Sequence, residues 1–318
     1  MGTQALSAPR RVNWPLVAAA ATGVQVGAAI VASRFAVAEV PPLTLAMLRY
    51  AIGFACLLPF AWREAVRTAR SPSLVPVAGS RGRDLLAMAA LGIGQFGILI
   101  ALLNFGLQHV GAAQAALIFS LFPLLTLLLA AALGQERITW QLLAGVLLSI
   151  AGVALALGPK LGASAASHWW GELAVVAAAL TGAVCSVLYR PFLRRYPTVP
   201  VSAFAMLASV VFLALLATSE QWPQRLAAIS APAWAAVAFI GVSSGVGYFW
   251  WLYALKHESA TRVTVFLALN PVTAAFLGWA LLGERLPPAA IGALALIALA
   301  LWLATRPSRP RAGPERPR

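Results

Sequence analysis

The chain reads as an all-α integral membrane protein whose ten transmembrane helices form two inverted five-helix repeats. Three observations predict this. Of its 318 residues 61% are hydrophobic and 10% charged, where an ordinary soluble domain has about 25% charged. The chain also contains itself twice: Pro123 and Pro271, and the dipeptides Glu136-Arg137 and Glu284-Arg285, stand 148 residues apart in matching surroundings. Finally, the basic residues alternate in density from one interhelical segment to the next, as they do when a chain crosses a bilayer repeatedly.

The repeat holds in one frame without a gap. It pairs Leu107 with Leu255, His109 with His257, Leu121 with Leu269, Leu129 with Leu277 and Leu133 with Leu281. Leucine matches carry little weight in such a composition. Proline, histidine and a consecutive Glu-Arg carry more, because an apolar helix seldom contains them. A repeat defines the structural unit and so is settled before the fold.

Ten apolar segments follow in order: 14–33, 42–62, 84–105, 112–133, 140–157, 170–189, 201–218, 233–254, 261–282 and 288–304. At about 20 residues per span, they leave no room for a hidden soluble domain. Each is expected to be helical, since a lipid-exposed backbone must satisfy its own hydrogen bonds. The connections are expected to be short except between the second and third helices, where Arg63, Arg67, Arg70, Arg81 and Arg83 flank a Pro-, Ser- and Gly-bearing loop. The resulting division is 1–13 as a cytoplasmic N-terminal segment, 14–160 and 168–305 as the two repeats, and 306–318 as a basic cytoplasmic tail. That tail alternates Arg and Pro and cannot bury a core, so it is expected to be disordered. Cys56 and Cys185 both fall in apolar runs and read as small buried hydrophobes.

With the N-terminus inside, 18 Lys and Arg fall on inner segments and four on outer ones, Arg34, Lys160, Arg225 and Arg285. Arg49 is the remaining one, within a span. Basic residues favour the cytoplasmic side, so both termini are expected in the cytoplasm. The net charge of +14 is then mostly topology, not a nucleic-acid footprint. Cleavage at Ala36-Val37-Ala38, which resembles a signal-peptidase site, would remove a helix the first repeat needs, so the segment is expected to be retained.

Five spans per repeat is an odd number, so the two copies enter the membrane from opposite sides. Inverted repeats of this kind are a recurring architecture of secondary transporters, with the substrate site at the repeat interface near the midplane. Pro123 and Pro271 lack an amide hydrogen and are expected to bend the fourth and ninth helices at equivalent depth. Polar side chains at that depth are candidate cavity residues: Gln25, Gln95 and Asn270 above all, with Thr22, Ser243, Ser244 and Tyr248. Phe96 and Trp251 are candidate apolar wall. Arg49 is the one charged side chain well inside a span, and an anionic or zwitterionic substrate is its natural partner; the alternative is that it snorkels or binds helix-terminal carbonyls. No Asp or Glu is expected deep in a span, which leaves a carboxylate proton relay without a carrier. His109 and His257 read as interface residues at helix ends. There is no phosphate loop of the Walker type, no metal-ligand cluster and no cofactor signature, and no nucleophile-base pair for an enzyme.

The sequences Asn270-Pro271, Gly283-Glu284-Arg285-Leu286-Pro287 and Tyr253-Ala254-Leu255-Lys256 closely resemble the second repeat of the EamA-type family of the drug/metabolite transporter superfamily. Val40-Pro41-Pro42, Leu48-Arg49, Gln95-Phe96, Asn104-Phe105-Gly106-Leu107 and Pro123 resemble its first repeat. The resemblance spans Trp14 to about Thr305 and implies a bacterial inner-membrane protein that exports small metabolites, amino acid-like or drug-like, by alternating access. It also implies that the cavity is built from helices one, three and four and their mates six, eight and nine. One departure is Gly134-Gln135-Glu136, where the family has Gly directly before Glu. The readings that remain beside it are a metabolite importer of the same fold and a non-transporting accessory or lipid-handling membrane protein.

Overall fold

The computed structural model describes residues 13–69, 81–135, 139–161, 169–284 and 288–305. Arg10, Arg11, Arg70, the Glu136-Arg137 turn, Arg285 to Pro287 and the tail 306–318 lie outside the described residues. Every regular element within them is helical. In chain order these are α1 (Trp14–Ala36), α2 (Pro42–Ala69), α3 (Arg81–Gly92), a π-helical turn at Ile93–Ile98, α4 (Leu99–His109), α5 (Ala112–Phe119), α6 (Phe122–Ala132) and α7 (Trp140–Leu161). The second half comprises α8 (Trp170–Arg195), α9 (Thr198–Leu216), α10 (Trp222–Arg225), α11 (Ala231–His257), α12 (Ala260–Val265), α13 (Leu269–Leu282) and α14 (Pro288–Thr305).

Among the described residues eight helical stretches are long and apolar enough to cross a membrane, the first Trp14–Ala36 and the last Arg262–Leu282. The protein is a multi-pass, all-helical membrane protein. α7 and α14, which correspond to the fifth and tenth expected spans, are not among those eight; their side chains fall partly outside the described residues. The two helices pack on each other along their length.

Several helices run beyond the apolar segments. α8 continues through Arg190, Arg194 and Arg195, because a helix carries arginine into the headgroup layer at little cost when the side chain can reach water. The connection from α9 to α11 is longer than expected: residues 217–230 hold two 3-10 turns, α10 and a left-handed Gln221 (φ 55°). Cys185 is buried and Cys56 only half-buried, and both are free thiols.

The repeat survives as geometry. His109 Nδ1 lies 2.9 Å from the carbonyl of Phe105 and His257 Nδ1 lies 2.8 Å from that of Tyr253. The rings pair alike, at 4.7 Å and 45° for Phe105–His109 and 4.5 Å and 47° for Tyr253–His257. Gly134 and Gly283 end α6 and α13 in the left-handed region (φ 64° and 65°), which a residue without a Cβ enters freely. In the first half, Gln135 N donates to Ala130 O and Gly134 N to Ala131 O, a Schellman cap. The extra Gln135 is thus taken up after the glycine, outside the helix.

The halves interleave. α1 packs on α11 and α13, α2 on α9 and α11, and α4 on α8. Close approach depends on small residues, as expected where no water drives helices together. A Cβ on Gly27 would lie 2.6 Å from Asn270 O and 2.7 Å from Thr273 Cβ.

At the end of the bundle opposite the N-terminus, three carboxylates tie one half to a helix start in the other. Glu39 Oε2 accepts from Ser230 N at 3.0 Å, and its Oε1 from Ser230 Oγ at 2.8 Å. Glu220 accepts from Leu43 N at 3.0 Å, Thr44 N at 2.7 Å and Thr44 Oγ1 at 2.7 Å. Glu284 Oε1 accepts from Ala112 N at 3.1 Å. Each satisfies orphan amides at the positive end of a helix.

Gly27→Val places two methyl groups where α13 already stands. It is expected to lower stability by about 1–3 kcal/mol, read as a lower thermal unfolding midpoint in detergent. Gly82→Ala, whose Cβ meets nothing within 4 Å, is expected to keep the wild-type midpoint.

Candidate substrate cavity

Among the described residues, three departures from regular α-helix interrupt candidate spans: the π-helical turn at Ile93–Ile98, the break at Ser120 and Leu121 between α5 and α6, and the 3-10 turn Phe266–Ala268 between α12 and α13. The last two lie just before Pro123 and Pro271, both buried near the start of the helix that resumes. The backbone there stays paired: Ser120 N donates to Ala116 O and Leu117 O, and Leu121 N to Ile118 O, each at 3.1 Å. Each departure delivers side chains to one central cavity, Gln95 and Phe96 from the first, Phe119 and Phe122 from the second and Leu267 from the third.

That cavity has a volume of about 80 Å³, well below the roughly 300–1,000 Å³ of ordinary ligand pockets. A solute of metabolite size therefore requires its walls to move apart. Six sequence-predicted residues meet on the wall: Gln25, Arg49, Gln95, Phe96, Tyr248 and Trp251, with Thr22 and Ser244. Asn270 does not. It is 1% exposed and lies under α1, because the glycine at position 27 lets that helix cover it. Neither its Oδ1 nor its Nδ2 has a hydrogen-bond partner among the described residues. Tyr50, Phe119 and Phe122, which the sequence did not single out, are also on the wall.

The polar side chains of the wall join the two halves. Arg49 Nε donates to Ser244 Oγ at 2.6 Å, and Gln25 Nε2 to Ser243 Oγ at 3.2 Å. Thr22 Oγ1 lies 2.8 Å from Ala18 O and 3.3 Å from Gly247 O. Thr22 and Gln25, three residues apart on α1, thus both face α11. The apolar wall is aromatic: the ring of Phe96 lies 4.7 Å from that of Tyr50 and meets Tyr248 edge-on at 4.0 Å. Phe122 lies 6.1 Å from Trp251. Gln95 Oε1 is buried with no hydrogen-bond partner among the described residues. No three His, Cys, Asp or Glu side chains among those residues come together as a metal site. The arrangement can bind and orient a small solute between two halves, and it holds no nucleophile with a paired base.

The model of the EamA-like transporter family matches twice, over residues 13–158 and 169–306. The chain belongs to the EamA-like transporter family. Members of this family are transporters, not enzymes, and carry small molecules across membranes. A relative from Streptantibioticus cattleyicolor, a probable terminal-alkyne amino-acid exporter, is 33% identical over 70% of this chain and 74% of its own. An uncharacterized transporter of Archaeoglobus fulgidus is 26% identical over 88% of this chain and 94% of its own. A solved crystal structure aligns over 90% of this chain and 95% of its own, at 26% identity and a TM-score of 0.67.

Ser244 is the acceptor that keeps Arg49 Nε–H satisfied away from water. Ser244→Ala is expected to cost about 1.5–3 kcal/mol, the range for hydrogen bonds to charged groups. Ser243→Ala, which removes a neutral acceptor, is expected to cost about 0.5–1.5 kcal/mol. Thermal unfolding of the two variants side by side in one detergent checks the order.

Proposed function

We propose that the protein is a secondary carrier of ten spans in a bacterial inner membrane, with both termini cytoplasmic, that exports a small amino acid-like or drug-like metabolite by alternating access. The observation that carries this reading is that the cavity lies on the joint between the halves. Its polar contacts, Arg49 to Ser244 and Gln25 to Ser243, each cross from the first half to the second, so any movement of one half against the other reshapes the site. The helix breaks beside Pro123 and Pro271 give each half a bending point where the cavity wall is built. Gln25, Arg49 and Gln95 supply polar groups for the solute, and Phe96, Tyr248 and Trp251 supply its apolar wall. Asn270 lies under α1, off the wall. The outward direction follows the exporter from S. cattleyicolor.

Flux in proteoliposomes tests the reading. Purified protein is expected to move one class among labelled amino acids and related metabolites saturably, with Gln95→Ala lowering that flux tenfold or more. Absence of saturable flux for every member of the panel, from protein that remains folded and monodisperse, contradicts it. An imposed pH gradient applied to the same vesicles reports whether protons are coupled.

A further inference from the structure

Among the described residues Arg49 is the one charged side chain on the cavity wall, and none of those lining it is a carboxylate. It is 5% exposed, so its charge is largely withdrawn from water. Its Nε is spent on Ser244, whose own hydroxyl hydrogen goes to Ile240 O at 2.6 Å. Ser244 is therefore an acceptor toward Arg49, and the guanidinium is fixed in orientation. The ring of Tyr50 stands 5.4 Å from the guanidinium carbon and adds a second constraint. Nη1 and Nη2, which carry the other four N–H groups, have no protein acceptor among the described residues.

An oriented guanidinium with both terminal nitrogens unspent is a two-pronged donor, the shape that pairs with a carboxylate through two parallel hydrogen bonds. In a membrane interior such a charge is costly until it is paired, and nothing on this wall supplies the anion. We infer that the cavity is a carboxylate receptor: its substrate is an organic anion or zwitterion held by Nη1 and Nη2 of Arg49, with its apolar body between Phe96, Tyr248 and Trp251. Gln95 Oε1, buried and without a partner, is an acceptor for an N–H of the same solute. A cation lacking a carboxylate meets an unpaired positive charge and no compensating acid, so the site excludes it. The inference rests on the carrier reading of this cavity and narrows it: of amino acid-like and drug-like solutes, it keeps those with a carboxylate and rejects cationic ones. Ser244 acts as a positioning residue, through Arg49.

The test uses three compounds of one shape, 3-phenylpropanoate, 3-phenylpropanamide and 3-phenylpropylamine, which present a carboxylate, a neutral amide and an ammonium on the same body. Their binding to the full chain in lipid nanodiscs is measured by equilibrium dialysis. The acid is expected to bind at least tenfold tighter than the amide and the amine weakest. Arg49→Gln is expected to abolish the preference for acid over amide. Arg49→Lys, which keeps the charge but not the fork, retains part of that preference. A purely structural Arg49 leaves the acid-to-amide ratio unmoved. Equal binding of acid and amide by the wild type, preference for the amine, no binding of any of the three, or an unchanged ratio in Arg49→Gln overturns the inference. Carboxylate-selective binding without flux in proteoliposomes defeats the carrier reading alone. Flux with no acid preference defeats this inference alone.

Discussion

Inside a bilayer, a backbone amide or carbonyl that leaves the helical ladder has no water to turn to, so a chain of this kind keeps its helices regular wherever lipid touches them. This protein relaxes that rule at Ile93–Ile98, at Ser120 and Leu121 and at Phe266–Ala268, each facing the central cavity. The freed backbone is re-paired locally by short 3-10-type bonds around Ser120 and Leu121. Among the described residues, the irregularity that interrupts candidate spans is thus concentrated around the cavity.

The same economy governs charge. A chain with 10% charged residues places three of its carboxylates where helix starts present unpaired amides. Glu39, Glu220 and Glu284 each bridge the halves in this way at one end of the bundle. Arg49 is placed differently, in the wall of the cavity and anchored across the joint by Ser244. A membrane protein can afford one such exception, and the strongest reason to keep it is a solute that completes the pair.

Much of this was legible in the sequence because the informative residues are rare in an apolar chain. Pro, His and Glu-Arg in one frame revealed the two halves, and the equal geometry of His109 and His257 shows why the frame is real. Depth along each helix was enough to bring Gln25, Arg49, Gln95 and Tyr248 to one place. It failed for Asn270, since whether a polar side chain at depth faces a cavity or a neighbour depends on how closely the next helix approaches. Here the glycine at position 27 sets that distance. The π-helical turn left no local mark in Ile93 to Ile98. Ser243 and Ser244 were legible as polar residues at depth but not as the acceptors of Gln25 and Arg49, because a serine at depth bonds its own preceding turn as readily as a distant partner. Phe119, Phe122 and Tyr50 carry no polar mark that would single them out in an apolar chain, and their packed rings form part of the wall.

The central claim is that the two halves move against each other about the shared cavity, opening one end as the other closes. Pulsed electron resonance distances test it in a Cys56→Ser, Cys185→Ser background, with spin labels at Ala38→Cys and Gln224→Cys at one end and at Arg83→Cys and Arg194→Cys at the other, each pair spanning the halves. Adding a transported solute is predicted to lengthen one distance and shorten the other within the same population shift. Distances that stay fixed, or that change in the same direction at both ends, contradict the account.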